Sequence, residues 1–270
     1  MSRSPAIART PNSAPPLLRR DEDGIATLTL NRPEARNSLS VGLMTALQAA
    51  LDAINQDEAV RVVVIAANGP VFCAGHDLKE IRANPGRAAY EALFKQCSVL
   101  MQTIVKLRQP MIARVHGMAT AAGCQLVATC DLAIAGASAR FCTPGVNIGL
   151  FCSTPMVALT RNVSRKLAME MLLTGEIIDA GRAVELGLIN RAVADDALDA
   201  EVQALAARIV AKSPLTLAVG KEAFYRQIEL GLAEAYNYAS DVMTRNMLAR
   251  DAEEGIDAFL DKRAPSWQGR

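Results

Sequence analysis

The chain is poor in the residues that build most metal centres and disulfide frameworks. It has two histidines, His76 and His116, which excludes a three-histidine zinc site. None of its six cysteines belongs to a Cys-x-x-Cys pair, and most stand in apolar segments. This pattern is typical of buried, reduced thiols in a cytoplasmic protein. We therefore predict neither a metal site nor disulfide bonds.

Net charge and long apolar runs are also lacking. The formal net charge is +1 over 270 residues, so no global field favours nucleic acid or a membrane surface. No apolar run reaches the roughly 18 residues that suggest a membrane span. We expect neither nucleic acid nor a membrane as a partner. An anionic ligand would have to be held by local lysines and arginines.

The remaining composition is that of a globular protein, with 51% hydrophobic and 21% charged residues. Strand patterns occur at residues 24–30, 61–67, 111–115 and 132–135, and helical patterns at residues 40–55 and 87–107. Ser40 is the predicted N-cap of the first helix. The strand at residues 61–67 is apolar without alternation, which is typical of a parallel strand covered on both faces.

The later part of the chain has mainly helical patterns, at residues 166–173, 179–186, 198–211, 221–230 and 233–249. Alternating strands and helices followed by helices predict an α/β core at residues 17–200 and a helical C-terminal region at residues 201–270. Residues 1–16 are predicted to be a disordered extension.

The first 20 residues contain serine, proline and arginine but no acidic residue, as in a transit peptide, and they lack the apolar segment of a secretory signal. Three prolines, Pro11, Pro15 and Pro16, oppose a continuous amphipathic helix and favour disorder. We expect a cytoplasmic protein, or a mitochondrial one if this segment is a transit peptide.

Two turns of small residues are candidates for a ligand site. Residues 75–79 follow a short apolar turn at residues 71–74, and residues 121–123 stand between a strand and an apolar helix. Such turns allow backbone N–H groups to approach a ligand, and two converging donors form an oxyanion hole for a thioester carbonyl. Tight packing of strand against helix explains each turn about as well. A dinucleotide-binding Rossmann domain is disfavoured, because no Gly-x-Gly-x-x-Gly follows the first strand.

Five segments taken in order, at residues 31–39, 72–79, 117–131, 167–175 and 254–263, resemble the enoyl-CoA hydratase/isomerase (crotonase) superfamily. The similarity extends from about residue 17 to residue 267. It implies an α/β fold with a crotonase-like ββα spiral core and a helical C-terminal trimerisation region. It also implies an acyl-CoA ligand, no further cofactor, and a homotrimer or dimer of trimers.

Carried over by position, the resemblance places the oxyanion hole at the backbone N–H groups of His76 and Ala122. Ala74 would lie where the adenine is recognised. Lys262 matches a lysine that reaches the CoA phosphates from a neighbouring subunit, and Arg36 is a weaker candidate for a phosphate contact. Both basic side chains could instead be solvated surface charges.

The chain departs from the hydratases at Gln125 and Gly145, which stand where those enzymes have two catalytic glutamates. Hydration needs an acid and a base, each contributing roughly 10²- to 10⁴-fold. An amide such as Gln125 cannot take up a proton, Gly145 has no side chain, and Asn147 can orient a ligand but cannot act as a base. We expect weak or absent hydratase activity, which Gln125→Glu together with Gly145→Glu should raise.

Three further points follow from the residues near these positions. Residues 150–156 lack the glycine-rich run usual in hydratases, so this wall of the pocket should differ in shape.

A nucleophilic thiol at Cys142 or Cys152 would need a lowered pKa, and a purely structural role is favoured for both cysteines. Two functions stay open: an acyl-CoA enzyme that uses the hole with little acid–base help (an isomerase, weak hydratase, decarboxylase or thioester hydrolase), or a non-catalytic acyl-CoA-binding or regulatory protein.

Overall fold

The computed structural model describes residues 14–270, so most of the predicted N-terminal extension, residues 1–13, lies outside the described residues. The described chain opens with an antiparallel hairpin of β1 (Leu17–Glu22) and β2 (Ile25–Leu30). Asp23 and Gly24 form its turn, both with positive φ. The pair Asp-Gly is a strong signal for a two-residue hairpin turn. The sequence patterns predicted only the second strand, because β1 is exposed and largely charged.

The strands of the described chain form two sheets. The larger sheet has the order β1, β2, β3 (Val62–Ala67), β5 (Met111–Val115), β7 (Leu132–Gly136) and β10 (Arg191–Val193), and it is parallel from β2 onward. The smaller sheet has the order β4 (Val71–Cys73), β6 (Met118–Thr120), β8 (Arg140–Cys142) and β9 (Ile178–Asp179). All four predicted strands are found, as β2, β3, β5 and β7.

Each repeat of the core contributes one strand to each sheet and then a helix. After β3 and β4 come α2 (Leu78–Ala83) and α3 (Arg87–Lys106); after β5 and β6 comes α4 (Ala122–Thr129); β7 and β8 follow. This arrangement is the ββα spiral that the resemblance implies, and the predicted α/β crotonase-like fold is confirmed, whereas the trimerisation role of the C-terminal region stays a prediction. The first helix, α1 (Val41–Asn55), is capped as predicted, because Ser40 Oγ accepts a hydrogen bond from Leu43 N at 3.1 Å.

The large sheet is covered on both faces, as predicted for its apolar central strand. In β3, Val63 and Ile65 belong to the main core, which α1 and α3 cover. Val62 and Val64 belong to a second cluster on the other face, under α8 (Leu198–Val210). The predicted division at residue 200 falls within α8, which packs along the sheet.

The other helices follow the last part of the core. They are α5 (Pro155–Leu159), α6 (Arg165–Thr174), α7 (Ala180–Glu185), α9 (Pro214–Gln227), α10 (Leu232–Met247) and α11 (Arg250–Leu260). The helix predicted at residues 221–230 was placed too late: Ser213 Oγ caps its start by accepting from Thr216 N, and Pro214 is its first residue. The patterns did not predict α11.

Lys221 holds α9 against the core. Its ammonium group donates to Asp131 Oδ2 at 2.7 Å and to the carbonyl oxygens of Ile104 and Gln109, both at 3.0 Å. The Lys221 side chain is 7% exposed, and Tyr225 donates its hydroxyl proton to Asp131 Oδ1. A buried ion pair with all its hydrogen bonds made positions this helix firmly.

The last helices have few buried residues: none in α9, Val242 in α10, and Asp251 and Ala258 in α11. Large apolar side chains are exposed there instead, among them Leu232, Leu248 and Phe259. Within residues 14–270 no single helix is long and apolar enough to span a membrane. One pair of helices, residues 195–210 and 214–227, has the length and composition of a span when both are taken together, but the pair is bent by 103°.

Candidate active site

The two predicted donors, the backbone N–H groups of His76 and Ala122, are brought together by a close approach of two loops. Gly75 has φ of +86°, and a Cβ there would lie 3.2 Å from Ala122 N and 3.1 Å from the carbonyl oxygen of Thr120. Only glycine allows this contact without a shift. Neither the amide of His76 nor that of Ala122 donates to an acceptor within the described residues. Two free donors therefore lie at one place.

The start of α4 is held in an unusual conformation. Ala121 has φ of 52° and ψ of −118°, a region costly for a residue with a side chain. Its N–H donates to the carbonyl of Cys142, and its own carbonyl accepts from Gln125 N. All eight residues of α4 are buried, and a Cβ on Gly123 would overlap the carbonyl oxygen of Cys73. This packing fixes the N-terminal end of α4, so the partial positive charge of that end lies at the N–H group of Ala122.

The donors open into a cleft of about 1420 Å³. This exceeds the ~300–1,000 Å³ of usual small-molecule pockets, so a large ligand fits. Six predicted site residues line it: Arg36, Ala74, His76, Ala122, Gly145 and Asn147. The structure thus brings together residues that are far apart in sequence. Gln125 and Lys262 do not line the cleft.

Gln125 lies one turn along α4 from the donor pair and is 5% exposed. Its Oε1 atom accepts no hydrogen bond from the described residues. The amide therefore lies beneath the cleft surface. Lys262 follows α11 with φ of 54° and is exposed, away from the cleft of its own chain.

The position of Gly145 is already filled. A Cβ there would lie 2.8 Å from the carbonyl oxygen of Leu150 and 2.9 Å from Cys152 Sγ. The same loop is closed by a hydrogen bond from Leu150 N to the Gly145 carbonyl at 2.9 Å. Asn147, two residues on, is exposed on the cleft wall. The sequence shows a missing side chain at Gly145, whereas the structure shows that its space belongs to residues 150–152.

The side chain of His76 is unsuited to hold a charge. Burial lowers the pKa of its imidazole, so the ring is neutral at pH 7. Its Nε2 atom has no hydrogen-bond partner in the described chain, and the ring meets Phe94 edge to face with centroids 5.5 Å apart. Burial and the contact with Phe94 hold His76 in place, and the backbone N–H of His76 is the first donor.

Asp77 is a carboxylate of the cleft but is engaged elsewhere. Burial opposes its charge, yet hydrogen bonds from Arg32 and from Glu80 N leave its pKa below the usual value. Arg32 donates to Asp77 Oδ2 at 3.0 Å and to the Ser38 carbonyl at 2.7 Å. A carboxylate held this way is a poor proton acceptor near pH 7. The sequence patterns did not single out this pair.

Asn37 also escaped the sequence interpretation. It is fully buried with φ of 51°, and its amide donates to the carbonyl oxygens of Asn68 and Val71, both at 2.7 Å. Its Oδ1 accepts from Arg32 N. Next to it, the Arg36 carbonyl accepts from Ala74 N at 3.1 Å, which places Arg36 beside the donor loop. The identity of residue 37 was the one available signal for this turn, because asparagine tolerates positive φ better than most residues.

All six cysteines are buried free thiols, as predicted. Burial raises the pKa of both Cys142 and Cys152, despite a hydrogen bond of Cys142 with Thr120 and one to Cys152 from the Gly145 backbone. Both are therefore thiols rather than thiolates near pH 7, which favours the structural interpretation. Within residues 14–270 no group of three His, Cys, Asp or Glu side chains could hold a metal ion.

Comparisons with known proteins agree with this fold. The enoyl-CoA hydratase/isomerase family profile matches residues 20–270. Enoyl-CoA hydratase domain-containing protein 3, mitochondrial, of Rattus norvegicus is 45% identical over 267 residues, covering 98% of this chain and 89% of that protein. The crystal structure of the human protein of that name has a TM-score of 0.91 at 45% identity, covering 93% of this chain and 100% of that one. An enoyl-CoA hydratase structure from Mycobacterium smegmatis has a TM-score of 0.92 at 56% identity, covering 94% and 99%.

Proposed function

The chain belongs to the enoyl-CoA hydratase/isomerase family, and we propose that it binds an acyl-CoA with the thioester oxygen between the N–H groups of His76 and Ala122. The observation that carries this proposal is the pair of free amide donors at the contact of Gly75 with Ala122 N. Donors arranged before the ligand arrives stabilise negative charge on a carbonyl oxygen. They would hold the thioester and favour its enolate.

The CoA part would lie along the charged loop. Arg36 is exposed on the cleft and forms no ion pair within the described residues, so it is free to meet a phosphate. Ala74, hydrogen-bonded to the Arg36 carbonyl, would lie against the adenine. The acyl-CoA is itself the substrate or ligand, and the proposal requires no further cofactor.

The chemistry would rely on the hole with little acid–base help. Gln125 and Gly145 stand at the glutamate positions of the hydratases, and Asn147 can only orient a ligand. Since Asp77 is engaged by Arg32, it does not replace the missing base. We therefore propose that hydration of an enoyl-CoA is weak or absent and that another reaction through a thioester enolate, such as an isomerisation in which water takes the proton from one carbon and returns it to another, is the better candidate.

A second candidate is a non-catalytic acyl-CoA-binding or regulatory protein. The closed position of Gly145 favours it, because Leu150 and Cys152 occupy space that a catalytic side chain would need. Binding and enolate formation are separable: binding needs only the oxyanion hole and the cleft, whereas formation of an enolate also needs a proton to be removed from the acyl group.

Assembly and location complete the proposal. We propose a homotrimer or a dimer of trimers in which Lys262 reaches the CoA phosphates of a neighbouring subunit, since it lies away from its own cleft. Exposed apolar side chains on the last helices would be buried by such closed symmetry. The rat relative is named mitochondrial, which favours the mitochondrial over the cytoplasmic expectation.

The test is incubation of the protein with enoyl-, β-keto- and malonyl-type CoA esters, with binding read by calorimetry and products by mass spectrometry. We expect binding of several esters and a product from at most a few. Absence of binding at millimolar ligand, about −4 kcal/mol of binding free energy, would overturn the proposal. Binding without any product would select the non-catalytic alternative.

A further inference from the structure

One wall of the cleft is made of large apolar side chains that face solvent. We call Phe94, Ile148, Leu150 and Phe151 the apolar wall; their exposed fractions are 41%, 60%, 57% and 42%. Two of them, Leu150 and Phe151, stand in the segment that differs from the glycine-rich run of the hydratases. Because exposed apolar groups that line a concave site mark a binding surface, we interpret the apolar wall as part of the ligand site.

The charged groups that line the cleft belong to other parts of the chain than residues 144–155. Those that line it belong to residues 32–36 and 77–80: Arg32, Glu34, Arg36, Asp77, Lys79 and Glu80. Asp77 is paired with Arg32, and Glu80 accepts a hydrogen bond from Val41 N. Arg36 and Lys79 form no ion pair within residues 14–270. Residues 144–155 contribute no charged group to the lining.

Each donor adjoins one of these two parts of the lining. His76 is adjacent to the charged residues 77–80, and its ring contacts Phe94 of the apolar wall. Ala122 is the first residue of α4, which packs against α5, and α5 begins at the end of the 144–155 segment. A ligand with its carbonyl oxygen at the donors therefore has one end toward charge and the other toward the apolar wall. Phosphates require the charged side, so the acyl group faces the apolar wall.

On the basis of the proposed function, we propose that the acyl group is an uncharged aliphatic chain of about six carbons or more, and that the apolar wall selects it. A chain of two to four carbons would contact one or two of the four side chains and leave the others in water. A carboxylate at the far end of the chain would be placed against apolar groups with no cation to pair with it, which is costly.

The first experiment compares four ligands by calorimetry with the intact protein: CoA, butanoyl-CoA, octanoyl-CoA and octanedioyl-CoA. Each buried methylene is expected to tighten binding by about two- to fourfold. Octanoyl-CoA, which has four more methylenes, should therefore bind about 16- to 250-fold more tightly than butanoyl-CoA. Octanedioyl-CoA, of equal length but charged at its end, should lose most of that gain.

The second experiment uses variants of the exposed wall with a matched control. Ile148→Asn and Phe151→Ser should weaken octanoyl-CoA about tenfold and leave butanoyl-CoA within twofold. Leu173→Ser is the control, because Leu173 is 60% exposed like Ile148 but lies on α6 outside the cleft. It should leave all four affinities unchanged. Melting temperatures and light scattering of each variant verify folding and assembly.

The outcomes separate this inference from the proposed function. Absence of binding by every ligand would overturn both. Equal affinity for the three acyl esters would overturn the inference and leave the proposed function intact. Wall variants that lower the oligomer mass and weaken all ligands equally would assign the wall to a contact with a second copy, which also overturns it.

Discussion

Gly145→Ala tests whether the space beside Gly145, the position that the resemblance assigns to a hydratase glutamate, is empty or filled. The new methyl would lie 2.8 Å from the Leu150 carbonyl oxygen and 2.9 Å from Cys152 Sγ. The first of these is a backbone atom, so the loop at residues 150–152 must move rather than a flexible side chain. We expect the variant to be less stable than the wild type.

The magnitude follows from two opposing effects. Overpacking a closed site costs about 1–3 kcal/mol. Replacing glycine by alanine restricts the unfolded chain and returns about 0.4–1 kcal/mol. The expected net loss is therefore about 1–2 kcal/mol, visible as a lower midpoint of urea unfolding at an unchanged slope.

Gly220→Ala is the matched control. Gly220 is in α9, and a Cβ there would meet nothing within 4 Å. This variant should be more stable by about 0.5–1 kcal/mol, because alanine favours a helix. If Gly145→Ala instead matched or exceeded the wild-type stability, the reasoning that residues 150–152 close this position would be refuted.

The same contact changes what we expect of restoring both carboxylates. The sequence suggested that Gln125→Glu with Gly145→Glu would raise hydration of crotonyl-CoA. In the structure, the second substitution meets the Leu150 carbonyl at its first side-chain carbon, and the first places a carboxyl at a site 5% exposed without a donor. Each costs about 1–3 kcal/mol. We now expect the double variant to lose stability and to gain little activity.

Four further predictions concern stability and assembly. Ala121→Gly should raise the melting temperature by about 2–4 °C, since it relieves a strained φ and ψ; an unchanged or lower value would contradict the strain. Lys221→Met should cost about 3–5 kcal/mol by leaving Asp131 unpaired, and Asp131→Asn added to it should recover part of that loss; no recovery would count against an unpaired charge as the cause. Acidification from pH 7 to pH 5 should destabilise the wild type more than His76→Gln, because the unfolded chain takes up a proton that the buried ring, with its lowered pKa, resists; parallel unfolding curves would argue otherwise. Light scattering at micromolar concentration should give a trimer or hexamer mass, and a monomer mass would exclude the proposed assembly.

The sequence by itself determined the strands, helices and turns whose residue patterns act over a few neighbouring positions. The run at β3 has no polar residue, which is typical of a strand covered on both faces. Ser40 and the apolar spacing behind it define α1, because capping and helical periodicity act within a few residues. The small-residue turns that hold Gly75 and Ala122 were visible for the same reason, as was the resemblance that united them.

Two other features had a local signal in the sequence, a turn and a helix start, but the prediction followed the hydrophobic pattern instead. The Asp-Gly pair at residues 23 and 24 signals the hairpin, yet β1 is charged and exposed and has no alternation to support it. Ser213 followed by Pro214 marks the start of α9 seven residues before the predicted start. In both places a short capping or turn signal was more informative than hydrophobicity.

Only the tertiary structure decided the state of the site. The sequence shows glycine at position 145, but whether its space is open depends on where Leu150 and Cys152 lie. It shows glutamine at position 125, but its depth beneath the cleft depends on how α4 packs against β4. Lys221 and Asp131 are 90 residues apart and meet only in the folded chain. Local patterns record the conformational preferences of neighbouring residues, whereas contacts between distant segments arise from packing the whole core at once.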